Sequence, residues 1–267
     1  MNGPVGTGEC GAAVREFAGE FEIHLTVAPP AGAGDAAATD DDGRIRRWAG
    51  RHGVKYTRIV LDRGTTPDQP MLTVPGEGVL SARRAAARKW AARLAGEGFR
   101  VARVKIEAAP WNEDVPRTAA EARALPPGCY FEHHVKLALA GDAEVAAVRS
   151  LAGRYRAHVS RNARRALGGS GHERFVTQRC RGVGRPEARR RLDALLDALA
   201  AAGFEAVEVE EEFVVHDDRP TLDDGWIDEG TDARTYGAET YDAETYDAET
   251  YDAETCGAET YERADVR

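Results

Sequence analysis

Tyr130-Phe-Glu-His-His-Val-Lys-Leu137 nearly repeats an earlier stretch, Glu20-Phe-Glu-Ile-His-Leu-Thr-Val27. Laid over each other, Phe21 meets Phe131, Glu22 meets Glu132, His24 meets His134 and Val27 meets Leu137. The match continues downstream. Ala49-Gly-Arg51 falls on Ala152-Gly-Arg154, Arg58 on Arg161, Thr73 on Thr177, and Gly98-Phe99 on Gly203-Phe204. The chain reads as an internal duplication of a unit of roughly 90 residues, enough for one small domain per copy.

Within each copy the hydrophobic period alternates between two and 3.6. Phe21, Ile23, Leu25 and Val27 point one way and Glu22, His24 and Thr26 the other, the pattern of a half-buried strand. Pro29 to Gly34 and Asp40 to Gly43 read as a long loop, followed by a short helix carrying Ile45, Trp48, Ala49 and His52 that stops at Gly53. Strands are expected over Lys55–Asp62 and Met71–Val74. Ser81 is expected to cap a helix running to Ala95, and Phe99–Glu107 alternates again. The second copy offers strands at Phe131–Leu137, His158–Ala163, Arg174–Cys180 and Phe204–Val215. Its helices are expected after Asp142 and from Pro186, the latter with Leu192, Leu195, Leu196 and Leu199 on one stripe. The order βαββαβ, written twice, predicts an α+β protein made of tandem ferredoxin-like units.

The expected organisation is a poorly ordered N-terminus (1–19), unit 1 (20–107), a proline-rich linker (108–129), unit 2 (130–218), a tailpiece (219–230) and a disordered tail (231–267). The tail repeats Thr-Tyr-Asp-Ala-Glu. A period of five builds no apolar face on either a helix or a strand. It also distorts the bulk charge. The chain of 267 residues has a formal charge of −9, but residues 231–267 alone carry 11 acids and three arginines. The remainder holds 34 acids against 33 bases and is nearly neutral. Four scattered cysteines lack metal-ligand spacing, no apolar run is long enough to span a bilayer, and no secretory signal is visible, so a cytoplasmic protein is expected.

In a ferredoxin-like unit both helices cover one sheet face, so the other face shows the polar set. That places Glu22, His24, Thr26, Arg58 and Lys105 of unit 1, with Arg103 and Glu107, on one surface. Glu132, His134, Lys136 and Arg161 of unit 2, with Glu208 and Glu210, form the counterpart. An open antiparallel sheet face is polar for solvation alone. Histidine, however, is an unusual choice for it, and two stand in equivalent places. Packed with pseudo-twofold symmetry, the units would bring these faces to a shared cleft, a common place for a ligand. The expected function is therefore a non-enzymatic binding protein for a small anionic ligand or a protein partner, without a cofactor.

His24-Leu-Thr-Val27 also resembles the His-x-Thr motif of the 2H phosphoesterases, duplicated enzymes that act on cyclic phosphates and RNA ends. The resemblance implies His24 and His134 as an acid–base pair, with hydroxyls on the phosphate. The second copy departs from it, with Lys136 where the hydroxyl belongs; a lysine offers a point charge instead. Glu22, His24, Glu132 and His134 form a donor set suited to Zn, Fe or Mn. This resembles the metal sites of vicinal-oxygen-chelate enzymes, whose unit lacks the helices at 81–95 and 186–199, and no metal is assigned.

Arg149 to Arg191 contains thirteen arginines against Glu173 and Glu187. That density suits nucleic acid, but the polar faces lack the aromatic platforms of an RNA-binding sheet, so internal charge pairing is the expected use. Phosphate-binding glycine loops, the nucleophile elbow and the HExxH metal motif are all absent from the sequence.

Overall fold

The computed structural model describes residues 15–28, 35–163 and 172–227. The chain runs β1 (Gly19–Val27), α1 (Asp35–Arg51), β2 (Lys55–Leu61), β3 (Asp68–Gly78), α2 (Leu80–Gly96) and β4 (Val101–Ala108). After a short α3 (Ala119–Arg123) the same order recurs: β5 (Tyr130–Leu139), α4 (Asp142–Arg154), β6 (Ala157–Asn162), β7 (His172–Arg181), α5 (Arg185–Ala201) and β8 (Ala206–Asp217). A 3-10 turn, Pro220–Asp223, follows.

Strand pairing gives each half the ferredoxin-like order, β4-β1-β3-β2 and β8-β5-β7-β6. The halves then join. β2 pairs antiparallel with β6 through Leu61 and Ser160, and β4 with β8 through Ala108 and Phe213. The eight strands close into one barrel, β1-β3-β2-β6-β7-β5-β8-β4. Closure removes the strand edges that two separate sheets would expose. The cleft expected between two lobes is therefore the inside of a barrel common to both.

Alternation along the strands decides what is inside. Phe21, Ile23, Leu25 and Val27 face outward into a core with Trp48, Leu80, Ala87 and Leu94 from the helices. In the second half, Val135, Leu137 and Leu139 meet Val145, Val148 and Leu151 of α4 and Leu192, Leu195 and Leu199 of α5. Shifting either leading strand by one residue would bury its charges under helices, which fixes the register.

Several boundaries differ from expectation. Helix α1 starts at Asp35, so the expected loop at 40–43 is helical. The N-cap of α2 is Val79 rather than Ser81, and the Glu16 carboxylate accepts the Ser81 amide at 3.0 Å, supplying the cap from a distance. Phe17 is buried in the first core, so the expected disorder of 1–19 does not extend to residues 15–19. Asp142 is the first helical residue of α4, behind Gly141. The repeat tail at 231–267 lies outside the described residues.

Of the expected tailpiece, residues 219–227 are described and 228–230 lie outside the described residues. Trp226 is buried, and its indole N–H donates to the Val159 carbonyl at 3.0 Å. Gly64, at φ +116°, lies against it, where an added Cβ would stand 3.1 Å from the Asp224 carbonyl and the Trp226 amide. A side chain there would push the tailpiece off the β2–β3 turn. Among the described residues no helix is long and apolar enough to cross a membrane.

Candidate functional site: the charged interior of the barrel

The barrel encloses a cavity of about 360 Å³ with residues of all eight strands around it. Eight carboxylates (Glu22, Glu107, Glu132, Glu173, Glu208, Glu210, Glu212, Asp223) line it, with Lys55, Lys105, Lys136, Arg103, Arg161 and Arg179 and two histidines. Lys55, Arg161, Glu208 and Glu210 are exposed; burial of the others is tolerable only where each has a partner. Most do.

The two histidines occupy matching positions. His24 Nδ1 lies 3.0 Å from the Thr73 hydroxyl, and His134 Nδ1 lies 2.9 Å from that of Thr177. Both pairs are directly opposite in register, β1 to β3 and β5 to β7. With Nδ1 held, each Nε2 points at carboxylates of the closing strands. His24 Nε2 bonds Glu107 and has Glu22 at 3.7 Å; His134 Nε2 has Glu212 at 3.4 Å and Glu132 at 3.8 Å. His133, next to His134 in sequence, faces the other way onto Gln178 and takes no part.

The carboxylates cross between halves. Donor atoms of Glu22, His24 and Glu212 lie within 4.8 Å of one another, and so do those of Glu107, Glu132 and His134. Each triad takes a Glu-x-His pair from one half and a glutamate from the closing strand of the other. The two imidazoles therefore converge on the middle of the barrel, Glu107 and Glu212 standing between them.

These contacts set the proton affinities. Burial alone lowers the His24 imidazole, but the Glu107 charge and hydrogen bond outweigh it and the net direction is up. His134 rises to about 9, burial again opposing the Glu212 hydrogen bond and the Glu132 and Glu212 charges. Burial, reinforced by the Glu107 charge, raises Glu212 to about 7. Glu107 and Glu132 go down: burial resists, but Lys105 and His24 hold Glu107 ionised, and Arg179 and Lys105 do the same for Glu132.

Below this layer lies a chain of ion pairs. The Lys105 ammonium sits 2.5 Å from both Glu107 and Glu132. Arg179 donates to Glu132 at 2.7 Å and to Asp223 at 2.7 Å. Arg103 bonds Asp217 and Asp223, and Gln69 donates to Asp223 at 3.0 Å. Asp223 thus arrives from the 3-10 turn after β8 and joins both halves. Tyr130, on the inward side of β5, stacks against Arg179 and Arg181, and its buried hydroxyl has no hydrogen-bond partner among the described residues.

Of the residues singled out in the sequence, the structure brings Glu22, His24, Thr26, Lys105, Glu132, His134 and Lys136 together around the cavity. Arg58 is elsewhere. Thr57 and Ile59 line the interior while Arg58 faces outward, held by Asp68 at 2.5 Å and Asp42 at 3.6 Å. Its counterpart Arg161 touches the rim, but it stands opposite Val60 and is exposed, on the helix-bearing side. The short middle strands β2 and β6 give no clean alternation from which to set their phase. Thr73 and Thr177 were legible as an aligned pair. Glu212 continues the Glu208–Glu210 alternation, which was signal enough to find it although it was not singled out, and Asp223 had no local signal.

Part of the arginine-rich segment is paired with acids. Arg149 pairs with Asp62, Arg189 with Asp193 and Glu211, and Arg190 and Arg191 with Glu187. One of these partners, Glu211, is on β8.

No protein-family model matches the chain, and no curated protein sequence does. Among solved structures it is similar to the small subunit of acetolactate synthase from Thermotoga maritima, at 15% identity over 72% of this chain and 92% of that one, with a TM-score of 0.26. A likeness at that level fixes neither fold nor activity.

Proposed function

We propose that this protein binds a small cation-bearing ligand inside the barrel. One observation carries the reading: a cavity of small-molecule size in which Glu22 and Glu210 have no lysine or arginine in ion-pair contact among the described residues, with two further carboxylates lying between converging imidazoles. A cavity of about 360 Å³ falls within the usual range for small-molecule sites, roughly 300–1,000 Å³. The location favours a small ligand over the protein partner also expected from sequence, because the groups meant to meet it face inward. The unpaired carboxylates favour a cationic ligand over the anionic one expected.

The test is calorimetric titration with short diamines and amino acids against a dicarboxylate of the same length. Binding of the ammonium compounds, weakened about tenfold or more in Glu22→Gln, supports the reading. Preference for the dicarboxylate overturns it.

A second reading, the 2H-type phosphoesterase with His24 and His134 as acid and base, draws on the convergence of the two rings. It requires each imidazole to release the carboxylate at its Nε2 and to face a phosphate among glutamates. Turnover of a 2′,3′-cyclic nucleotide that disappears in both His24→Ala and His134→Ala would establish it.

A further inference from the structure

The two triads are alike in donors but not in what fills them. Between Glu107 and Glu132, beside His134, stands the Lys105 ammonium, 2.5 Å from each carboxylate. The repeat that sets Gly98-Phe99 on Gly203-Phe204 sets Lys105 on Glu210 and Glu107 on Glu212. The strand register agrees, for Lys105 lies opposite His24 and Glu210 lies opposite His134. Where one triad has a built-in cation, the other therefore has a further carboxylate. Among the described residues, Glu22, His24 and Glu212 have no lysine or arginine in ion-pair contact. We propose that Glu22, His24 and Glu212 hold one divalent metal ion, at the place whose counterpart in the other triad is filled by the Lys105 ammonium.

The donor geometry fits such an ion. Neighbouring ligand atoms on a metal with bonds of about 2.1–2.2 Å are roughly 3.0–3.6 Å apart. The three donors here lie within 4.8 Å of one another, so side-chain movements of about 1 Å and exchange of the Glu107 hydrogen bond at His24 Nε2 for the metal would close the set. Thr73 on Nδ1 fixes the ring so that Nε2 is the donor, the outer-shell arrangement typical of a metal-binding histidine. Its Nε2 faces both Glu107 and Glu22, and a single N–H satisfies only one of them. A metal ion satisfies several donors together. Two carboxylates and one imidazole suit Mn²⁺, Fe²⁺ or Zn²⁺. Glu22 is 41% exposed at the side chain, which leaves the site open to solvent for exchange.

This inference rests on the interior being cation-seeking, yet it is separable from the ligand proposed above. The experiment is Mn²⁺ titration of the full, chelator-stripped chain, followed by calorimetry and by the loss of the free-Mn²⁺ electron paramagnetic resonance signal. One ion per chain is expected, with affinity falling at least tenfold in Glu22→Gln and in Glu212→Gln. Glu210→Lys, which installs an ammonium at the matching place, is expected to abolish binding while circular dichroism and the melting temperature stay near wild type. Lys105→Met, where folded, is expected to take up a second ion. No Mn²⁺ uptake by the wild type, or uptake unchanged in Glu22→Gln and Glu210→Lys, overturns the metal site. Diamine binding measured in the presence of chelator reports separately on the ligand proposal, so either can fail alone.

Discussion

The His24 and His134 neighbourhoods use the same parts and end in different electrostatic states. Each has an imidazole on a leading strand, a threonine on its Nδ1 and glutamates at its Nε2. Around His134, Glu132 is 1% exposed and clasped by Lys105 and Arg179. Around His24, the matching Glu22 is 41% exposed at the side chain, and among the described residues its sole ion-pair neighbour is the histidine. One repeat has thus closed its charges against internal cations, and the other has left them facing a cavity. The difference teaches that the repeat copies geometry, while a handful of charges on β4, β8 and the tailpiece decide which copy is structural and which is free to bind.

The largest effect should come from breaking the closed side. Glu132→Gln leaves Lys105 and Arg179 buried without their shared carboxylate, and a loss of about 3–5 kcal/mol is expected in urea unfolding. Glu22→Gln, its counterpart, should cost less than about 1 kcal/mol. Equal losses would mean that the two sides do not differ.

Titration gives the next effect. His134, raised in the fold to about 9 from its ordinary 6.5, contributes stability that is fully present below pH 6.5 and disappears as pH rises through 9. In metal-free buffer that amounts to something on the order of 3 kcal/mol. The slope of stability against pH between 6.5 and 9 should flatten in His134→Gln. Glu107 and Glu132 act in the opposite direction: their stabilisation, present above about pH 4.5, is lost as pH falls below it.

Smaller still are the orienting hydroxyls. Thr73→Val and Thr177→Val each remove one buried hydrogen bond, about 1 kcal/mol. Near-equal values by thermal melting would sharpen the symmetry of the rings, and a wide gap would break it. At the bottom of the scale, Arg58→Met removes an outward-facing pair with Asp68 worth about 0.2–1 kcal/mol. It should leave the interior, and Mn²⁺ uptake, untouched.

Much of this was legible in the sequence, for a physical reason. Strand period and helix period are local, so Phe21 to Val27 and Leu192 to Leu199 announce both the element and its buried side. The β4-β1-β3-β2 order followed from the βαββαβ sequence of elements. What was not legible depends on contacts between distant segments. Nothing near Asp223 marks it as the acid that bridges Arg103 and Arg179, and nothing in Lys105 marks its reach to Glu132 in the other half. Barrel closure through β2–β6 and β4–β8 is likewise a tertiary event. It turned an expected crevice into an interior. Arg58 failed because a single shift of phase on a short strand sends a side chain to the opposite face.

The central claim is that both halves place their ionisable groups in one interior, and histidine titration by NMR tests it most directly. Glu212 lies in the second half and His24 in the first. In Glu212→Gln, the His134 resonance should titrate below its midpoint in the wild type, and the His24 midpoint should move down with it, since Glu212 helps to raise both. A His24 titration identical in wild type and Glu212→Gln would contradict a shared interior and leave two independent sheets.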